Sequence, residues 1–207
     1  RTGVNRRACD GVMELSFRGH SCARSGVASM GGGLPWSPGA ASLGQKGSAM
    51  YQVIGTSKSR AFRVLWMLEE LGQPYDHVPL APHAEGVTSF NPAGKVPLLV
   101  LEDGRTIRES NAILLYLGDG TRFVPDDRYA RALVHQWMFF EQYSHEPAIA
   151  VRAGILTYDD RAHLRTPDVL DPLLEKGHAA LGLMERQLEA TPFLAGDPLS
   201  VADICLY

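Results

Sequence analysis

Residues 91–117 read Asn91-Pro92-Ala93-Gly94-Lys95-Val96-Pro97-Leu98-Leu99-Val100-Leu101-Glu102-Asp103-Gly104-Arg105-Thr106-Ile107-Arg108-Glu109-Ser110-Asn111-Ala112-Ile113-Leu114-Leu115-Tyr116-Leu117. Pro97 stands where an apolar strand begins. A residue that cannot donate to a sheet ladder is tolerated at a strand's first position, at an edge or at a bulge. Leu98–Leu101 therefore reads as a strand, and Asp103-Gly104 predicts a two-residue type I′ hairpin. Arg105–Ile107 is the return strand. Glu109-Ser110 is a polar pair opening an apolar helix over Ser110–Leu117.

Toward the N-terminus, Tyr51–Ile54 reads as a short strand. Ser59–Leu71 reads as a helix, with Ala61, Val64, Leu65, Leu68 and Leu71 at helical spacing and Gly72 as its stop. Tyr75–Leu80 is a second strand and Glu85–Phe90 a single helical turn. The order β-α-β-α-β-β-α, with a proline leading its third strand, is that of a thioredoxin-like α/β domain over about residues 50–120. Beyond Pro125 strand patterning disappears, so residues 125–207 are expected to form an all-α helical domain. Arg128–Ala150 predicts one long helix, with Trp137, Phe140 and Tyr143 in an apolar stripe. A second starts at Thr166-Pro167, since proline is preorganised for the first helical position. Ser200 and Asp203 have the spacing of a capping box. The chain stops at Tyr207, about two turns into that last helix, which reads as a C-terminally truncated sequence.

Composition narrows the function. Residues 1–49 carry a net charge of +4 and ten of the 21 glycines, without a stable apolar period. They read as an unstructured leader or an upstream translated segment. The remainder carries −7 and has no reason to seek nucleic acid. No run approaches the roughly 18 apolar residues of a membrane span. Cys9, Cys22 and Cys205 include no Cys-x-x-Cys pair, which argues against disulfide exchange and suits a reducing compartment. The histidines are scattered, so no metal site is expected.

Two motif blocks carry a family resemblance. Asn91-Pro92-Ala93-Gly94-Lys95-Val96-Pro97 with Glu109-Ser110 is the first. Phe193-Leu194-Ala195-Gly196-Asp197 with Ser200-Val201-Ala202-Asp203 is the second. Together they resemble the glutathione S-transferase family, and Gln136–Pro147 is similar to its bacterial cytosolic members. The resemblance covers residues 50–207. It implies the cytosolic glutathione S-transferase architecture, a cytoplasmic homodimer, glutathione as cosubstrate, and a small hydrophobic electrophile as second substrate. It leaves open an isomerase or dehalogenase on the same fold, or a non-catalytic glutathione S-transferase-like binding module.

Site residues follow from what glutathione demands. A free thiol ionises near pH 8.5, so a hydroxyl donor at a helix N-terminus is needed to stabilise the thiolate. Ser59, four residues before Arg63, matches the serine-type position, and Ser57 competes with it; either can instead be a plain helix cap. A cis Val96–Pro97 bond, implied by the resemblance, would turn the Val96 backbone toward the tripeptide like an added strand. Glu109 can pair with the γ-glutamyl amine, and Ser110 with the N–H groups behind it would form an anion site; the pair can instead be a plain helix start. Lys95 is the candidate for the glycine carboxylate. Tyr143 and Phe140 are candidates for the electrophile pocket.

Overall fold

The computed structural model describes residues 50–207; the leader expected over 1–49 lies outside the described residues. The two periods of the sequence become β1 (Tyr51–Ile54), α1 (Ala61–Leu71), β2 (Tyr75–Val78), α2 (Glu85–Thr88), β3 (Leu98–Leu101), β4 (Thr106–Arg108) and α3 (Ser110–Gly118). The strands form one sheet ordered β2-β1-β3-β4, with β1 and β2 parallel and the other pairs antiparallel. This is the expected thioredoxin-like class, followed by a helical part.

Period-2 alternation divides the sheet's contacts. Val53 and Leu99, paired across β1 and β3, enter a core shared with Val64, Leu68, Ile113 and Leu114 of α1 and α3. Their neighbours Ile54 and Leu98 enter a smaller cluster with Val87 of α2 on the other face. The first core continues into Val134 and Met138, then into Val201 and Ile204, so α1 and α3 lie between the sheet and the helices that follow.

The β3–β4 turn differs from the expected type I′ form. Gly104 N–H donates to Leu101 C=O at 2.9 Å and Leu101 N–H to Arg105 C=O at 2.8 Å. Gly104 has φ +83°, whereas Asp103 does not have positive φ. The loop is therefore Glu102-Asp103-Gly104, three residues closed by a left-handed glycine, because type I′ requires positive φ at both central positions. The Asp103 carboxylate gives the local reason. It accepts from Arg105 N–H at 3.0 Å, an Asx-type turn that needs no left-handed aspartate.

The helical part comprises α4 (Arg128–Phe140), a π-helical stretch (Glu141–Ala150), α5 (Val151–Thr157), a 3₁₀ segment (Asp159–Leu164), α6 (Pro167–Ala190) and α7 (Val201–Leu206). The single helix expected over Arg128–Ala150 thus changes winding at Glu141. Pro147 lies inside the stretch. In an α-helix it would lack its own donor and press its ring on the carbonyl four residues back; wider i→i+5 winding accommodates it. The inward face nevertheless continues at three- and four-residue spacing from Val134 and Met138. Glu141, His145 and Ala148 are buried, while Tyr143 is 82% exposed and leaves the stripe of Trp137 and Phe140. The capping box forms: Ser200 Oγ accepts from Ala202 N–H, and the Asp203 carboxylate accepts from Ser200 N–H at 2.9 Å. Among the described residues, no helix is long and apolar enough to cross a membrane.

Candidate functional site

Strand register gathers the predicted site at one end of the sheet. Ile54 pairs with Leu98 and Leu98 with Arg108. The chain leaving β1, the chain entering β3 and the chain leaving β4 therefore emerge side by side, bringing the β1–α1 turn, Pro97 and Glu109 together. Gly55 sits at their meeting point with φ +141°. A Cβ built there would lie 3.0 Å from both Ala61 Cβ and Val96 Cβ, so only glycine lets the start of α1 and the Val96 loop close on each other.

Ser59 is half-buried in the β1–α1 turn. Its hydroxyl donates to Thr56 C=O at 2.7 Å and accepts from Ala61 N–H at 3.2 Å. It therefore sits at the helix mouth with its oxygen toward the first-turn amides, although its proton is engaged locally. The helix begins two residues later than read, at Ala61. Ser57 is exposed at the tip of the same turn. It borders an apolar groove of about 530 Å³ lined with Phe62, Leu65, Trp66, Glu69 and Tyr207.

The Val96–Pro97 peptide bond is cis. Among the described residues, neither the N–H nor the C=O of Val96 takes part in a hydrogen bond. Asn91, which opens the first motif block but was given no role of its own there, is buried and shapes this loop. Its Nδ2 donates to Lys95 C=O at 2.9 Å, and its Oδ1 accepts from Ala93 N–H at 3.2 Å and from Arg108 Nη1 at 3.4 Å. The Asn-Pro dipeptide was the available signal, since it marks turn initiation. Lys95 itself is exposed.

Glu109 precedes α3 with φ +68° and ψ +117°, an uncommon conformation for a residue with a Cβ. Ser110 is 3% exposed, yet its Oγ meets no protein partner among the described residues. A buried hydroxyl without a partner is costly, and α3's first N–H groups likewise have no intrahelical acceptor. Donors thus accumulate beside the exposed Glu109 carboxylate, a constellation suited to a group bearing both amine and carboxylate.

The candidates for the electrophile pocket do not converge. Phe140 packs edge-on against Trp137 at 5.1 Å and lies against the core, whereas Tyr143 projects into solvent. A larger cavity of about 640 Å³, lined by Tyr51, Tyr116, Arg131 and His135 among others, contains none of the predicted residues. It lies at the opposite end of β1 from Ile54.

Behind the site is a polar cluster that sequence reading also missed. Arg63 Nη2 meets the fully buried Glu141 Oε1 at 2.9 Å, and Asn111 Nδ2 donates to Glu141 Oε2 at 3.1 Å. His145 lies beside this pair. Burial holds its imidazole below the usual 6.5; Glu141 and Glu146 oppose that shift and Arg63 reinforces it. Cys205 is buried, donates to Ala202 C=O at 3.2 Å, and has its thiol pushed up to about 12 by burial. It is unsuited to exchange chemistry, which needs a thiolate. Among the described residues, no group of three or more His, Cys, Asp or Glu is placed to hold a metal ion.

A family model described as "Glutathione S-transferase, N-terminal domain" matches residues 59–119. A glutathione S-transferase of known structure from Pseudomonas fluorescens is 43% identical, covering 76% of this chain and 81% of its own, with a TM-score of 0.70. The chain belongs to the glutathione S-transferase family. Among curated relatives, glutathione S-transferase F14 of Arabidopsis thaliana is 33% identical over 125 residues, 57% of this chain and 48% of that protein. The chain thus spans about half the length of that relative. A glutathione transferase from Burkholderia graminis, solved with two glutathione molecules bound per subunit, is 26% identical, covering 76% of this chain and 70% of its own, with a TM-score of 0.66.

Proposed function

We propose that this family member is a glutathione transferase that conjugates the glutathione thiolate to small apolar electrophiles. One observation carries the reading: the register row Ile54–Leu98–Arg108 assembles the Ser59 turn, the Val96–Pro97 bond and the Glu109-Ser110 helix start at one sheet end. In this reading residues 50–120 form the glutathione-binding domain and 125–207 a helical domain. The glutathione-bound Burkholderia relative supports the choice of cosubstrate.

The cysteine of the tripeptide lies along Val96, whose backbone groups are open to it like those of an edge strand. Ser110 and the α3 amides hold the γ-glutamyl carboxylate, Glu109 its amine, and Lys95 the glycine carboxylate. Ser59 turns its proton from Thr56 C=O to the sulfur, and the start of α1 adds partial positive charge. Both favour the thiolate. The remaining acceleration is proximity, because the nucleophile arrives with the cosubstrate. Phe140, Tyr143 and the apolar groove beside Ser57 are the surfaces offered to the electrophile. The working species is a cytoplasmic homodimer.

Calorimetric titration with glutathione, followed by a conjugation assay with a chloronitrobenzene, tests the reading. Saturable binding with measurable conjugation is expected; absence of binding would overturn it. One contact favours a second reading, a glutathione-binding module without transfer chemistry: the Ser59 hydroxyl already donates to Thr56 C=O at 2.7 Å. Binding without conjugation across several electrophiles would select that reading.

A further inference from the structure

We propose that Glu141 is a positioning residue for the glutathione site, holding in register through its two carboxylate oxygens the two helix starts that frame it; the inference rests on the transferase reading above. Oε1 accepts from Arg63, which lies about one turn along α1 from Ser59. Oε2 accepts from Asn111, adjacent to Ser110 at the start of α3, and from the side-chain amide of Gln142. One rigid group therefore connects the element that would ionise the sulfur to the element that would hold the γ-glutamyl end. The third party is the start of the π-helical stretch, where Glu141 continues the inward face of Val134, Trp137 and Met138.

The energetics point away from simple stabilisation. Glu141 is 0% exposed and the Arg63 side chain 9% exposed, so both charges leave water almost completely. Well-packed apolar residues of similar volume often serve stability as well as or better than such a pair. The cluster also leaves Arg63 Nη1, Asn111 Oδ1 and His145 Nδ1 buried and unpaired by protein groups among the described residues. What an ionic group adds over an apolar one is direction: two oxygens with fixed geometry against donors on two helices. Arg60–Glu146 supplies an internal comparison. It joins α1's cap to the same π-helical stretch at 2.9 Å, but with side chains 38% and 24% exposed and without a link to α3.

The experiment compares Asn111→Ala, Glu141→Gln and Glu146→Gln in the intact protein. Asn111→Ala cuts the tie to α3 while Glu141 keeps Arg63 and Gln142, so no buried charge is stranded. Its KM for glutathione is expected to rise about tenfold, with kcat at saturating glutathione changed less than about twofold, the pattern of lost positioning rather than lost chemistry. Glu141→Gln is expected to show the same rise and to move the acid limb of the kcat/KM profile for glutathione to higher pH, because α1 no longer presents Ser59 squarely. Glu146→Gln is expected to match wild type. Unaltered KM in the first two variants, with folding verified by melting, overturns the proposal, as does an equal rise in Glu146→Gln. Hydrogen exchange of residues 57–63 and 110–114 gives a readout free of glutathione: both segments are expected to exchange faster in the first two variants, and unchanged protection would count against the tie. Failure of wild-type protein to take up glutathione would instead sink the transferase reading.

Discussion

Gly55 and Val96 approach so closely that a methyl group on the glycine would stand 3.0 Å from the valine Cβ. The same methyl would stand 3.0 Å from Ala61 Cβ, and the backbone at Gly55, with φ +141°, is one that side-chain-bearing residues rarely adopt. Gly55→Ala is therefore expected to destabilise the protein by about 1–3 kcal/mol through backbone strain, and to separate the Ser59 turn from the Val96 loop. Urea titration with a parallel glutathione titration checks this. The affinity loss should exceed what the shifted folding equilibrium explains, and a wild-type midpoint would show that the close approach is not needed.

Ser59 and Ser57 make opposite predictions. Ser59 Oγ is half-buried and oriented toward the first amides of α1, whereas Ser57 is exposed on the turn's tip. Ser59→Ala is expected to lower kcat/KM with a chloronitrobenzene by roughly 100-fold, the scale of one lost oxyanion donor. The apparent thiol pKa of bound glutathione should return toward about 8.5 while binding persists. Ser57→Ala should leave both nearly unchanged. Thiolate absorbance of the binary complex, followed against pH, separates the two; a wild-type titration in Ser59→Ala would transfer the role to Ser57 or to a backbone amide.

The legible parts were those governed by local rules. Val53 and Ile54 alternate between two faces, α1's apolar residues recur at helical spacing, and Ser200 and Asp203 cap their helix. The residues concerned are close in sequence, so pattern alone carries them. Asp103-Gly104 failed because the dipeptide suits both a two-residue turn and the end of a three-residue loop, and the Asp103–Arg105 contact decides between them. The π-helical stretch was hidden for a different reason. Glu141, His145 and Ala148 are spaced by four and three, as an α-helix would space them; only Pro147 betrayed the change. The buried pair Arg63–Glu141 spans 78 positions, and no periodicity reaches that far. The 30 positions between Asn111 and Glu141 likewise concealed Asn111 as a partner, although its neighbour Ser110 was recognised.

His145 makes folding sensitive to acid. Its imidazole is held below its ordinary value by burial and by Arg63, against the pull of Glu141 and Glu146. The unfolded chain therefore takes up a proton at a higher pH than the folded chain, so this group's contribution to stability rises with pH. Its share is fully present above the unfolded value near 6.5 and is lost as pH falls below it. Melting temperatures at pH 7.5 and pH 5.5 should differ more in wild type than in His145→Gln. An equal difference in both proteins would assign the acid sensitivity to other groups.

Asp203 joins two segments with one carboxylate. Oδ1 accepts from Leu194 N–H at 2.8 Å, and Oδ2 accepts from Ser200 N–H at 2.9 Å and from Ser200 Oγ at 3.0 Å. An asparagine side chain has the same shape but one acceptor oxygen, so D203N turns an N–H donor toward a backbone N–H whichever way the amide is set. The orphaned donor is costly in a helix whose Val201, Ala202 and Ile204 are fully buried against α1, α3 and α4. D203N is therefore expected to lose about 1–3 kcal/mol in urea, and Asp203→Ala at least as much. Because α7 packs into the single core that runs from the sheet through α1 and α3 to α4, the loss should appear as one cooperative shift of the whole transition, with an unchanged slope against urea. A midpoint within error of wild type for D203N would mean that water replaces the missing acceptor and that the carboxylate is not required to seat the helix.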